Sequence, residues 1–356
     1  MSEGEIEVAM EEKKAKSDEE DQDTEATNGT AVSVTMEKLQ GMDGVEVVKM
    51  PAPDEDVREI VIVDANALDV DLNQGKIAKI ENLESLTQVE TLCLRQNLIK
   101  KIEGLSTLQH LKDLDLYDNQ LEVIENLEEL RNLEQLDLSF NRLKTIEGLE
   151  NLTALRKLYF VHNKFDKIQN IEHLVQLHML EFGANRIRVI ENLAPLTRLT
   201  SLYLGKNKLT KIEGLDTLVN LTCLSLQSNR FVKIEGLDGL VNLEELYLSD
   251  NGLESIEGLD NNLRLNTLDL AQNRIRRITN VSHLKELQEF WFNDNKVDDW
   301  KDLEELAPIK ILETVYLERN PLWLDPDNAG HPDPSYRRKV KLALPQLRQI
   351  DATMCK

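Results

Sequence analysis

Cysteine is scarce in this sequence: Cys93, Cys223 and Cys355 are the only three. They stand too far apart along the chain to pair, which argues for a reducing compartment and against a secreted, disulfide-stapled ectodomain. Histidine is nearly as sparse. His110, His162, His173, His178, His283 and His331 share no face and have no cysteine or carboxylate at ligand spacing, so neither a metal centre nor a cofactor is expected. No glycine-rich phosphate loop is present and no acid–base pair stands out from the many carboxylates, so the chain does not read as an enzyme. No apolar run is long enough for a bilayer, and the opening Met1-Ser-Glu-Gly-Glu-Ile-Glu lacks the basic and apolar regions of a signal peptide. A soluble, intracellular protein is expected. Positive charge is in deficit too. With 42 Lys and Arg against 65 Asp and Glu the net charge is −23, which argues against a nucleic-acid partner held by phosphate neutralisation.

What the sequence has in abundance is a repeat. Asn97, Asn119, Asn141, Asn163, Asn185, Asn207, Asn229, Asn251, Asn273 and Asn295 stand 22 residues apart, and Asn320 follows after 25. In every copy an aliphatic residue or Phe fills the positions eight, five and three before the Asn, as in Leu199, Leu202, Leu204 and Asn207. This is the L-x-x-L-x-L-x-x-N pattern of leucine-rich repeats. Leu202 and Leu204 differ by two and point to one side of an extended segment, while Ser201, Tyr203 and Gly205 point to the other. One short strand per repeat results, with the Asn buried at the turn that leaves it, where its amide satisfies backbone groups no ladder reaches. Further apolar positions two, five and eight after the Asn, such as Leu209, Ile212 and Leu215, return the chain through a short helical turn. No repeat can bury its own leucines, so neighbours must stack and the ends need caps. The expected fold is an α/β repeat solenoid: a curved horseshoe with a parallel sheet on the concave face and short helical turns on the convex one.

Three regions follow in order. Residues 1–64 carry nineteen Asp and Glu against six Lys and Arg and no aromatic residue, so they read as a disordered acidic tail. Residues 65–322 form the solenoid of about twelve repeats, opened by a degenerate cap around Val70-Asp-Leu-Asn73. Residues 323–356 are a Pro-, Asp- and Gly-rich loop followed by an amphipathic helix beginning at Tyr336 and stopped by Pro345, closing the other end. Trp300, where other repeats carry Ile, reads as a plug for the last regular turn.

The functional signal is the row of side chains four before each Asn, which strand alternation places on the solvent-facing concave side: Cys93, Asp115, Asp137, Tyr159, Glu181, Tyr203, Ser225, Tyr247, Asp269, Trp291 and Tyr316. Aromatics make up only 4% of the chain, yet five of these eleven are Tyr or Trp and four more are Asp or Glu. Exposed rings interleaved with carboxylates make a protein-binding surface, because aromatic anchors dominate interface energetics.

The Ile-Glu-Asn-Leu and Ile-Glu-Gly-Leu returns carry a resemblance. So do the runs Thr91–Ile99, Gln288–Asn295 and Glu313–Leu322, and the ending Tyr336-Arg-Arg-Lys-Val340 with Arg348-Gln-Ile-Asp-Ala352. Over residues 66–353 the chain closely resembles the leucine-rich-repeat regulatory subunit 7 family of protein phosphatase 1. The resemblance implies a non-catalytic partner of the phosphatase catalytic subunit in nucleus and cytoplasm, linked to mitosis and to catalytic-subunit maturation with the phosphatase inhibitor-3 protein. The family's concave contacts fall here on Asp137, Tyr159, Glu181, Tyr203, Asp269, Glu289, Trp291 and Tyr316. Tyr159 and Tyr203 stand where the family usually has Phe, and the loop from Trp323 to Pro334 is longer than the family's. Repeats of this length also occur in dynein and ciliary scaffolds, so a scaffold for such a partner is the alternative.

Overall fold

A computed structural model describes residues 45–49, 60–64, 66–328 and 330–355 of the chain. Its centre is a sheet of fourteen short strands that follow one another in sequence order, from Asp69–Asp71 to Thr353–Met354. Every repeat contributes three residues, and the twelve strands from Asp69–Asp71 to Thr314–Tyr316 pair parallel without a register slip: Leu202 lies beside Leu180 on one side and Leu224 on the other. Each strand is buried at its middle residue, as sequence alternation requires, so the central leucines stack into one continuous apolar core. Truncating one of them to Ala in such a core costs about 2–5 kcal/mol.

The asparagines form the spine expected of them. Nine of the eleven are buried, with Asn229 and Asn251 half-buried. Asn207 shows the pattern: its Oδ1 accepts the N–H of Ile187 in the preceding repeat at 3.0 Å. Its Nδ2 donates to the carbonyls of Phe182 at 2.8 Å, Leu204 at 3.0 Å and Gly205 at 3.1 Å. One amide thus ties two repeats together where the strand ladder has already ended. The residue just before each Asn is left-handed in backbone conformation, including Phe140 at φ 55° and Lys206 at φ 54°.

The convex side carries the expected short turns, wound to 3-10 and not α pitch. There the N–H of Leu218 donates to Leu215 O and that of Leu221 to Leu218 O, single turns of 3-10 type that stop before a helix forms. The reason is the spacing: Leu209, Ile212, Leu215, Leu218 and Leu221 recur every third residue, a period that matches three residues per turn and not 3.6. At Trp300–Glu305 the turn lengthens into a six-residue 3-10 helix, and a three-residue one follows at Pro321–Trp323. A second ladder sits at the Asn or Gly of each Ile-Glu-Asn/Gly-Leu return, where the backbone is again left-handed, as at Asn126 (φ 59°) and Gly148 (φ 69°). Asn126 donates to Ile102 O at 2.6 Å. At Gly148 the equivalent carbonyl of Ile124 lies 2.6 Å from where a Cβ would stand, which is why glycine is needed there.

Both ends differ from the sequence reading. Within the segment expected to be a disordered tail, Val45–Lys49 and Ile60–Asp64 pair as an antiparallel two-stranded sheet. The two runs concentrate β-branched residues, which outweighs the acidic composition around them. The remainder of residues 1–44 and 50–59 lies outside the described residues. At the C-terminal end the helix Tyr336–Ala343 forms as expected. The sheet then continues unexpectedly: Gln349–Ile350 adds parallel to Thr314–Tyr316, and Thr353–Met354 turns back antiparallel. Asp351 takes the place of the next strand's backbone carbonyl, which Ser225 supplies to the N–H of Leu204 in mid-solenoid: its Oδ1 accepts the N–H of Leu317 at 2.9 Å and of Glu318 at 3.1 Å, and the Tyr336 hydroxyl at 3.2 Å. Trp300 packs on the core as a half-buried plug, its ring 6.2 Å from that of Tyr336.

Candidate functional site

The row four before each Asn occupies the last residue of every strand, and pairing keeps it in register along the sheet. Asp137, Tyr159, Glu181 and Tyr203 are consecutive neighbours. So are Tyr247, Asp269, Trp291 and Tyr316. Glu289 sits two residues before Trp291 at the first position of its strand, beside Thr267 and Thr314. The eight residues read from the sequence therefore fall into two groups, with Ser225 and Tyr247 between them.

The row is less exposed than a solvent-facing strand position implies. Tyr159 and Tyr247 are each 9% exposed, Asp269 5% and Ser225 2%, whereas Asp137, Glu181, Tyr203, Trp291 and Tyr316 are half-buried. Strands about 4.8 Å apart set successive side chains shoulder to shoulder, and a ring on one strand covers the shorter side chain on the next. Asp269, between Tyr247 and Trp291, is the clearest case.

Around Asp269 the second group becomes a cluster. The Trp291 ring stands edge-on to Tyr247, centroids 6.2 Å apart, and to Tyr316 at 6.0 Å. Such edge-to-face pairs add about 0.5–1.5 kcal/mol beyond burial. The Tyr247 hydroxyl donates to Glu245 Oε2 at 2.6 Å, and the Tyr316 hydroxyl accepts from Gln349 Nε2 at 2.9 Å. Trp291 Nε1 is buried and has no acceptor among the described residues. Asp269 accepts the N–H of Ala271 at 2.9 Å. Burial nevertheless dominates, raising its carboxyl to about 6. The result is a platform of three rings with a poorly solvated carboxyl beneath and Glu289 on its rim. Tyr247 belongs to this cluster although it is missing from the eight residues; its place in the row of eleven was the available signal.

The first group is built differently. Asp137 Oδ1 accepts the N–H of Ser139 at 2.8 Å, closing the turn after its strand. The Tyr203 hydroxyl is raised by burial beside Cys223 and Glu181. One strand before this group, Asp115 is raised to about 6, chiefly by burial, although Arg95 approaches it at 3.4 Å. Rings and carboxylates alternate here along neighbouring strands, Tyr159 beside Asp137 and Glu181, and Glu181 beside Tyr203. Away from the row, a cleft of about 350 Å³ in the C-terminal cap is lined by Trp323, Pro332, Tyr336, Arg337 and Asp351. No group of His, Cys, Asp and Glu suited to a metal ion occurs among the described residues, and none of their helices is long and apolar enough to cross a membrane.

With this geometry in place, the chain can be set beside known proteins. The family model "Leucine Rich repeats (2 copies)" matches residues 109–151, 131–175 and 219–261, and "Leucine-rich repeat" matches 244–356, together well over half of the chain. Human protein phosphatase 1 regulatory subunit 7 is 59% identical over 56 residues, which is 16% of this chain and 13% of that protein. The protein of the same name from Danio rerio is 61% identical over 54 residues, covering 15% and 13%. Protein phosphatase 1 regulatory subunit SDS22 of Schizosaccharomyces pombe is 54% identical over 52 residues, covering 14% of each. The matched stretch thus spans about one eighth of the human relative's length. Among solved structures, an internalin of Listeria monocytogenes superposes with a TM-score of 0.64 at 23% identity, covering 83% of this chain and 90% of that one. A leucine-rich-repeat protein of Leptospira interrogans gives 0.61 at 23% identity, covering 75% and 73%. These two establish the fold alone.

Proposed function

This chain belongs to the leucine-rich-repeat family, and we propose that it is a non-catalytic regulatory subunit that binds the catalytic subunit of protein phosphatase 1 on the concave face of its repeats. The observation that carries this reading is the ring cluster Tyr247, Trp291 and Tyr316 around Asp269, with Glu289 on its rim. A central, largely desolvated Trp flanked by aromatic rings and carboxylates has the composition of an interface hot spot. The curated relatives named as regulatory subunits of that phosphatase supply the partner's identity. The first group, Asp137, Tyr159, Glu181 and Tyr203, extends the contact along the solenoid. No Arg or Lys followed by Val-x-Phe or Val-x-Trp occurs in the chain, so a folded face replaces the short linear motif used by many partners of this phosphatase. Control of activity, maturation or targeting follows from holding the catalytic subunit, alone or with inhibitor-3, in nucleus and cytoplasm.

Titration calorimetry of the full chain against the purified catalytic subunit tests this. Trp291→Ala is expected to weaken binding roughly thirty-fold, because truncating a hot spot costs about 2 kcal/mol and each ~1.4 kcal/mol is tenfold. Glu122→Ala, exposed and outside the row, is expected to change little. Equal affinities for wild type and Trp291→Ala would remove the site; no binding by wild type would remove the assignment.

A further inference from the structure

The loops leaving the C-terminal ends of the strands form a surface distinct from the concave row. In each loop the residue before the spine Asn is left-handed, and the residue after it donates its N–H to the previous repeat, as Arg142 does to Leu121 O and Arg186 to Phe165 O, both at 2.8 Å. The side chains on either side of the buried Asn remain free to carry charge outward. Five consecutive loops do so with one sign: Ser139-Phe-Asn-Arg-Leu143, Val161-His-Asn-Lys-Phe165, Gly183-Ala-Asn-Arg-Ile187, Gly205-Lys-Asn-Lys-Leu209 and Gln227-Ser-Asn-Arg-Phe231. They hold Arg142, Lys164, Arg186, Lys206, Lys208 and Arg230 and no Asp or Glu, in a chain whose net charge is −23.

Three observations set this strip apart from an ordinary solvated face. Its six cations are exposed or half-buried, and none has a carboxylate within ion-pair distance among the described residues. Elsewhere Lys112 pairs with Glu90, Arg156 with Glu134 and Lys211 with Glu213, while Arg274 and Lys296, alone on their loops after the Asn, share the unpaired state among the described residues but not the run of one sign. The repeat frame does not demand a cation after the Asn, since Leu98, Gln120 and Gly252 occupy the same place. Finally, the strip begins at an exposed ring: Phe140, 36% exposed with φ 55°, stacks on His162 at 4.4 Å and tilts against Tyr117 at 4.8 Å. Arg95 lies over the Tyr117 ring at 4.3 Å. Ala184 and Ser228 satisfy the same backbone position as Phe140, so a large ring in a conformation that bulky side chains avoid is not a requirement of the fold. Carboxylates bound the strip, with Asp118 before the Asn in the loop on one side and Asp250 on the other.

We propose that this loop edge is a docking surface for an acidic, extended polypeptide segment of a partner protein, laid across the five repeats with an apolar side chain against Phe140. Loops spaced like their strands span roughly 20 Å, the reach of about six extended residues. That short length, closed by carboxylates at both ends and set in a strongly acidic surround, suits a local acidic motif better than a continuous polyanion, whose phosphates would run on into repulsion. Lys and Arg clusters are the usual readers of such motifs. The strip requires nothing of the concave row, so the two surfaces can be tested apart.

The probe is a fluorescein-labelled oligo-glutamate peptide of about ten residues with leucines at one end, titrated into the full chain at low ionic strength and followed by anisotropy. Saturable binding is expected, weakened about ten-fold or more in Arg186→Glu with Lys208→Glu, about three-fold in Phe140→Ala, and unchanged in Trp291→Ala; each tenfold corresponds to about 1.4 kcal/mol. Arg186→Gln with Lys208→Gln repeats the test without reversing charge, and circular dichroism reports folding for each variant. Lys285→Glu with Lys310→Glu, outside the strip, is expected to leave affinity within about two-fold, since distant exposed charges are screened. Absence of binding, equal loss in the outside pair, or tighter binding of an oligothymidylate of matched charge would each overturn the proposal.

Discussion

The Trp291 indole meets the Tyr316 ring edge-on, centroids 6.0 Å apart at 68°, across two strands whose register sets the two residues side by side. Neither ring is positioned by a loop. Both stand on paired strands of the parallel ladder with the rings in contact, so the pair acts as a unit. Trp291→Ala and Tyr316→Ala are therefore expected to be non-additive for phosphatase binding, with a coupling of about 0.5–1.5 kcal/mol in a double-mutant cycle. Strict additivity by calorimetry would mean that the partner contacts each ring independently.

The spine gives a stability prediction. Asn207→Leu removes three donated bonds and one accepted bond at a single turn and leaves the N–H of Ile187 and the carbonyl of Phe182 without that partner. Each orphaned buried group costs about 1–3 kcal/mol, and the larger apolar side chain must also be fitted. A drop of several degrees in Tm, read by calorimetry, is expected. An unchanged Tm would show that water reaches the turn and replaces the amide.

Most of this architecture was legible because a 22-residue period repeats one decision many times, so that Leu202 and Asn207 in one copy are checked by Leu224 and Asn229 in the next. What escaped was whatever the period does not encode. Asp351 closes the end of the ladder because a carboxylate can accept N–H groups that a strand carbonyl accepts elsewhere, but it stands outside the frame, 31 residues after Asn320 by their sequence numbers. The left-handed residue before each Asn is Gln, Asp, Phe, His, Ala, Lys, Ser or Arg, so composition carries no mark of it. Burial of Asp269 depends on rings from neighbouring strands, a relation between repeats that no single copy displays. Trp291, in contrast, stood out from its row at once.

Asp269 carries the pH prediction. Burial raises its carboxyl from 3.8 to about 6 in the folded chain. A raised folded value means that the neutral form is the one folding favours. Its contribution is complete below the unfolded value near 4 and is lost as pH rises through 6. Asp269→Asn keeps an acceptor for the Ala271 N–H without the charge, so the variant is expected to gain on wild type as pH increases from 4 to 7. The gain is roughly 2–3 kcal/mol at about 1.36 kcal/mol for each pH unit of displacement. Asp115, also raised to about 6, remains in both proteins and cancels from the difference. Parallel Tm curves for the two proteins across that range would show that water solvates the Asp269 carboxylate.

The last regular turn offers a sharper test of how the solenoid is closed. Asp302, 3% exposed on the 3-10 helix Trp300–Glu305, accepts from Arg277 Nε at 2.7 and 3.0 Å and from the backbone N–H of Ile278 at 2.9 Å. Nearby, Glu305 Oε1 accepts the N–H groups of Val281 and Ser282. The helix therefore hands two carboxylates back to backbone N–H groups of the preceding repeat. Arg277 is largely exposed, so the ion pair itself contributes little through solvent. The buried Ile278 N–H is the group that cannot do without its partner. Asp302→Asn retains an acceptor for it and is expected to be mild, whereas Asp302→Ala leaves it bare and is expected to cost about 1–3 kcal/mol. Hydrogen exchange at Ile278 should accelerate in the Ala variant and hardly change in the Asn variant. If both variants lose stability equally, the Arg277 charge pair, and not the backbone bond, is what Asp302 supplies.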